Sequence, residues 1–381
     1  MTTLPIRTVQ IKFVDAEHLY VSWRWEHALG EPRVAVLDPA GLPLAELAAA
    51  LPSPLPGESV RDALGRAQAG PLLDRAREQA LAEGLARGLF PPPLAEELNG
   101  YLSQGVRVHL RIQPAPSIAQ VPWEALRLSA GERLVHVADV SVLVPASVRN
   151  AADREVSAWD PAGPVVGVLD PRVPGFPDDS ALGSVLGPVS PALSAMAAPM
   201  VPGGFRRDDV TRDVLESLLA SAARFLYVGH VTTGAHGLDA RMHLCCGAGT
   251  SGRAELVGAH RPLTAADIAL GHGSARPWRI PNRVALIACE SGGDARFAEP
   301  SGLVAAMVHG GAEYVTAARW TLPTGDRFAS AVVAVNEAHE AADPVAGLGL
   351  WQRAQADRWD REGDPAASPI LWGAFSTAYA P

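Results

Sequence analysis

The chain has 381 residues, 48% of them hydrophobic and 19% charged, with a formal net charge of -9 and a pI near 5.7. That length allows a large core, in one big domain or two smaller ones, and the composition is globular and not disordered. The acidic balance and the lack of any long Lys/Arg run exclude broad nucleic-acid binding through a basic surface, and no run approaches the ~18 apolar residues that a membrane span needs.

The N-terminus MTTLPIRTVQIKFVD lacks a continuous apolar signal region, so a cytoplasmic protein is expected. Its first residues lead into three short β-prone runs, VQIKFV, HLYVSWRW and PRVAVLD. The Pro-rich patches 41–57 and 171–192 read as loops or lids. From Ser59 the pattern turns helical, with Gly70-Pro71 marking a break between two helices and a further short helix in LAEELNGYLSQG. VRVHLRI alternates as a strand should, and RLVHVADVSVLVPAS suggests two more short strands or a hairpin.

PVVGVLD, ending at Asp170, has the signature of a buried strand. A helix follows in DDVTRDVLESLLASAA, with Asp208 or Asp209 as its cap and Val210, Val214, Leu218 and Leu219 as its apolar stripe. The strand RFLYVGH ends at His230, and LTAADIAL is a short helix with Thr264 capping and Asp267 at its third position. Next come the strand RVALIAC, the helix SGLVAAMVHGG, the strand AEYVTAARW, two more helices and a strand-like close in SPILWGAFSTAYA. From Pro164 onward this alternation predicts an α/β sheet with covering helices.

The three cysteines, Cys245, Cys246 and Cys289, are poor material for disulfides. No CxxC pair exists, and neighbours on a strand point to opposite faces, so Cys245, Cys246 and His243 make an awkward ligand set. No metal site is expected. GxGxxG and Walker patterns are both absent, which argues against nucleotide binding.

His230 and Cys289 each end a short apolar β-run, and open α/β sheets bind ligands outside the carboxyl ends of their strands. A histidine beside a cysteine can deprotonate it or stabilise the thiolate, and can then protonate a leaving amine. Ser291, Gly292 and Gly293 would let a substrate approach the backbone. The amide of Cys289 and that of Gly229 or Gly234 could hold an oxyanion. Each residue also has a plain structural reading, since buried free cysteines are common.

FLYVGH, LTAADI, RVALIACESGG, AEYVTAARWTLPTGD and the closing ILWGAF fall in an order that resembles the CHAT-domain proteins, relatives of the caspases, separases and gingipains. VPWEALRL resembles the family's upstream Pro-Trp-Glu segment. The resemblance implies an α/β fold, a caspase-like three-layer sandwich with a mostly parallel central sheet flanked by helices. Residues 106–381 would form that domain, and 1–105 a β-rich, then helical extension packed on it. It further implies peptide-bond hydrolysis in protein or peptide substrates without a cofactor, with His230 as base and Cys289 as nucleophile. The family often has glycine directly after its histidine, where this chain has Val231, so His236-Gly237 is a rival. By the same resemblance Trp123 and Glu124 support the fold, and Trp320 lines the cleft or packs beneath it. Ile287 stands where relatives place a pocket residue two before the cysteine. Asp170 stands where some relatives bind a basic side chain preceding the scissile bond. Relatives carry sensor domains, so a separate regulatory or activating protein is expected, with 149–160 and 171–190 as flexible candidates for processing. No nucleic-acid or membrane partner is expected.

Overall fold

The computed structural model describes residues 6–128, 131–272, 276–297, 300–324 and 326–381. The lead-in at 1–5 and Gly325 of the ARWTLPTGD motif lie outside the described residues. The chain forms two compact units, residues 1–143 with 345–376 and residues 144–344 with 377–381.

In the first unit, β1 (Ile6–Asp15), β2 (Leu19–Trp25), β3 (Arg33–Leu37), β4 (Arg107–Gln113) and β5 (Ala138–Leu143) form a sheet in the order β3-β2-β1-β4-β5. β1–β3 are antiparallel, while β4 runs parallel to both β1 and β5. β2 alternates buried and exposed side chains, and Trp23 and Trp25 on its buried side both donate to Glu97 Oε2, at 3.1 and 2.7 Å. The helices Val60–Gln68 and Arg75–Leu89 are divided at Gly70-Pro71 as the sequence predicts. Two readings are corrected here. The patch 41–57 contains a helix, Leu44–Ala50, and the expected strand pair in RLVHVADVSVLV is one helical turn, Leu134–Val137, running into the single strand β5.

Arg133 is fully buried in this unit, its guanidinium paired with Glu78 at 2.7 and 2.8 Å and with Asp360 at 2.8 and 2.9 Å. Trp359 Nε1 adds a donor to Glu78 at 3.2 Å. Such a pair survives burial because every charge has a partner.

The second unit holds β6 (Val165–Leu169), β7 (Arg224–Val228), the two-residue strands β8 (Val231–Thr232), β9 (Arg241–Met242) and β10 (Leu263–Thr264), then β11 (Arg283–Ile287), β12 (Tyr314–Ala318) and the end of β13 (Phe375–Tyr379). Its main sheet has the order β13-β12-β11-β7-β6, with β6, β7, β11 and β12 all parallel, while β8–β10 form a small antiparallel sheet. All five residues of β11 are buried, which requires cover on both faces. The helix Asp326–Ala338 packs on β11, and Leu303–His309 packs on the neighbouring β12. Thr264 and Asp267 form the reciprocal cap expected of them. The preceding helix differs: it is Arg212–Leu219, capped by Thr211 and not by Asp208 or Asp209. Its buried face carries Arg212, Leu215 and Leu219, and Val214, expected in the apolar stripe, is 40% exposed. Among the described residues no helix is long and apolar enough to cross a membrane, and no group of three or more His, Cys, Asp or Glu could hold a metal ion.

Replacing Arg133 with Met should cost about 3–5 kcal/mol, because Glu78 becomes a buried carboxylate whose remaining counter-ion, Arg127, stands 4.0 Å away. The double variant R133M/E78L should recover most of that loss. Urea-unfolding midpoints of the three proteins check both statements.

Candidate active site

β7 and β11 are neighbours in strict parallel register, with Arg224 opposite Arg283 and Val228 opposite Ile287. Extending that offset by two residues sets His230 opposite Cys289. Both residues lie two positions past the paired segments, where the chain leaves the carboxyl end of the sheet.

The two side chains are held by different neighbours, and no hydrogen bond joins them directly. Cys289 Sγ accepts the Leu322 amide at 3.4 Å and lies 4.0 Å from the Leu322 carbonyl. Burial pushes the thiol pKa up, the Leu322 contact opposes this weakly, and the neighbouring Glu290 adds to the rise. His230 Nε2 lies 2.8 Å from the Gly183 carbonyl. A carbonyl only accepts, so Nε2 carries the hydrogen and Nδ1 keeps the basic lone pair. Burial lowers the pKa of His230, opposed by the Gly183 carbonyl and by Asp170. Near neutral pH both groups are therefore uncharged: a thiol and a neutral imidazole. His236, the rival, is exposed at the entry to the turn Gly237–Asp239; its carbonyl accepts the Asp239 amide at 3.0 Å, and its imidazole has no hydrogen bond among the described residues.

The other predicted residues fall into two sets. The Gly229 amide donates to the Ile287 carbonyl at 3.4 Å, so it is engaged within the sheet. Gly234 lies in the loop after β8, where an added Cβ would come within 2.3 Å of Asp239 Cβ. Ile287 and Trp320 are both fully buried. The Trp320 carbonyl accepts the Glu290 amide at 3.2 Å. Asp170 is 2% exposed, and its carboxylate accepts from Ser184, Val185, Leu186 and Arg206.

Sequence reasoning missed Gly183 and Leu322, which act through backbone atoms, and Glu290, Arg206 and Asp294. Glu290 directly follows the thiol in left-handed backbone and pairs with Arg296 at 2.6 Å. Asp294 is buried in the same loop and accepts the amides of Val304 and Ala305, at 3.3 and 2.9 Å, at the start of the helix Leu303–His309. An added Cβ on Gly302 would reach within 2.4 Å of Asp294 Oδ1, so glycine is required there. Burial pushes the Asp294 carboxyl up to about 6, against the pull of its amide donors.

A sheet of buried parallel strands covered by helices makes this a caspase-like fold. The chain belongs to the CHAT-domain family, whose sequence profile matches residues 79–380. No curated protein matches it. Two solved structures of the Saccharomyces cerevisiae separase–securin complex share its fold, each at a TM-score of 0.53 and with 11% and 10% sequence identity. The match covers 99% of this chain and 30% of the matched chain, so this chain spans under a third of that length.

Asp294 makes stability pH-dependent with a definite sign. A carboxyl whose folded pKa is raised contributes stability that is full below its ordinary value near 4 and is lost as pH rises through about 6. Relative to D294N, whose side chain does not titrate, the wild type should lose stability between pH 4 and 7, and the difference should be flat below pH 4. Unfolding midpoints of the pair across that range check it.

Proposed function

We propose that the protein is a cysteine endopeptidase, with Cys289 as nucleophile and His230 as general base. The observation that carries the reading is the parallel β7–β11 pairing, whose two strands end two residues before His230 and Cys289 respectively. In the proposed reaction His230 Nδ1 takes the thiol proton as Cys289 Sγ attacks the scissile carbonyl. The amine leaves with that proton, and water activated by the same nitrogen hydrolyses the thioester. The amides of Cys289 and Gly234 are the proposed oxyanion donors. A neutral pair suits this scheme, because the proton moves in step with attack and no buried ion pair has to form beforehand.

The raised thiol pKa and the Leu322 contact imply that the resting site is weakly nucleophilic. Substrate, or a separate regulatory protein, would have to draw the thiol away from Leu322 before it reacts. The separase structures are complexes with securin, and a regulatory partner for this chain is proposed by analogy with them. A second reading, a partner-binding protein without hydrolysis, is favoured by the raised pKa and Leu322 contact of the half-buried Cys289.

Peptide-library hydrolysis followed by mass spectrometry separates the two. C289A should abolish cleavage, H230A should reduce it by roughly 10²–10⁴-fold, and H236A should leave it near wild type. Absence of cleavage in the wild type, with specific capture of a folded partner, would favour the second reading.

A further inference from the structure

We infer that Asp170 is a positioning residue, which sets the tautomer of His230 by closing the loop that presents the Gly183 carbonyl. The inference rests on the reading of His230 as general base.

An ionised carboxylate offers about four acceptor sites, two on each oxygen. Asp170 has all four in use within its own chain. Oδ1 takes the Val185 amide at 3.1 Å and Arg206 Nη1 at 3.2 Å, and Oδ2 takes Ser184 Oγ at 2.7 Å and the Leu186 amide at 3.4 Å. A basic side chain from a substrate would find no vacancy there, which argues for an internal role over substrate recognition.

What the carboxylate holds is the stretch 184–186, and Gly183 is the residue immediately before it. The loop is tied at its other end as well. Arg206 pairs with Asp178 while its Nη1 also reaches the carbonyls of Asp170 and Pro171, at 3.4 and 3.5 Å. The Ser184 amide closes onto the Asp178 carbonyl at 2.9 Å. Gly183 fits only as glycine, since an added Cβ would sit 2.2 Å from the Asp178 carbonyl oxygen. The result is a closed loop, charged and neutralised at its base, with one carbonyl aimed at His230 Nε2.

The backbone gives an independent sign. Among the described residues, the three non-glycine ones with left-handed backbone are Asp170, Arg206 and Glu290, with φ of 53°, 55° and 53°. Two form the base of this loop and the third follows the thiol. Such conformations are costly for residues with a Cβ and persist where surrounding contacts over-determine them.

The test is the imidazole tautomer of His230, read from side-chain 15N shifts in 15N-labelled wild type, D170N, S184A and G183A. D170N replaces two acceptor sites with donors that face existing donors, and S184A removes one of the four bonds with little risk to folding. His243 and His339 are buried in the same unit, and their signals report that each variant is folded. The wild type should be predominantly Nε2–H at pH 7.5. The preference should fall roughly fivefold in D170N and G183A, the size one lost hydrogen bond sets, and in the same direction in S184A. An unchanged tautomer in D170N and S184A, with the His243 and His339 signals intact, would overturn the positioning role while leaving the dyad standing if H230A still abolishes hydrolysis. If H230A leaves hydrolysis unaffected, the base assignment fails, and the inference falls with it.

Discussion

The site depends on the parallel register between β7 and β11. Side chains alternate across a strand, so a slip of one residue would turn His230 or Cys289 to the other face. The register resists such a slip because both strands are apolar and buried almost throughout. The core therefore does more than hold the fold together. It aligns two loops that would otherwise have no fixed relation, and small contacts at the strand ends then finish the geometry. Gly293 lies against Thr233, and Gly237 against Ser301, so the loops that leave the two strands touch beyond the site.

Burial has opposite effects on the two reactive groups and one common result. It raises the pKa of the thiol and lowers that of the imidazole, and each change disfavours charge. Histidines elsewhere in the unit follow the same rule. His243, behind His230 and 2.9 Å from Thr232 Oγ1, is pushed down to about 3 by burial, and so is His339. The interior of this unit is thus a low-polarity setting in which buried charges are held by partners, a carboxylate for Arg212 and backbone carbonyls for Arg283.

Much of the fold was legible because it is written in local patterns. The runs VVGVL, RFLYV, RVALI and YVTAA are continuous and apolar, and each is a buried parallel strand. Thr264 and Asp267 identify their helix start through the chemistry of the two side chains themselves. The errors came where local chemistry was ambiguous. Asp208, Asp209 and Thr211 are all competent caps, and only packing decides among them. His136 and Ala138 sit in a run whose alternation suits a strand, yet its first half is a helical turn. The CHAT-family reading came from the order of motifs along the chain, while His230, Cys289 and the level they share followed from where strands stop. The supporting contacts were not legible. Gly183 and Leu322 contribute backbone atoms, which every residue has, and the engagement of Asp170 depends on a loop that returns to it from more than ten residues away.

The register has a consequence for how such a chain can diversify. Pairing between β7 and β11, and not the length of chain joining them, decides where His230 and Cys289 meet. The connecting stretch 231–282 carries the small β8–β10 sheet and the helix Ala265–Leu270. Lengthening a surface connection costs little closure entropy, since the penalty grows only with the logarithm of its length. Insertions or deletions in that crossover can therefore accumulate without separating the two reactive residues, and the crossover is where lineages sharing this core are free to acquire different recognition surfaces.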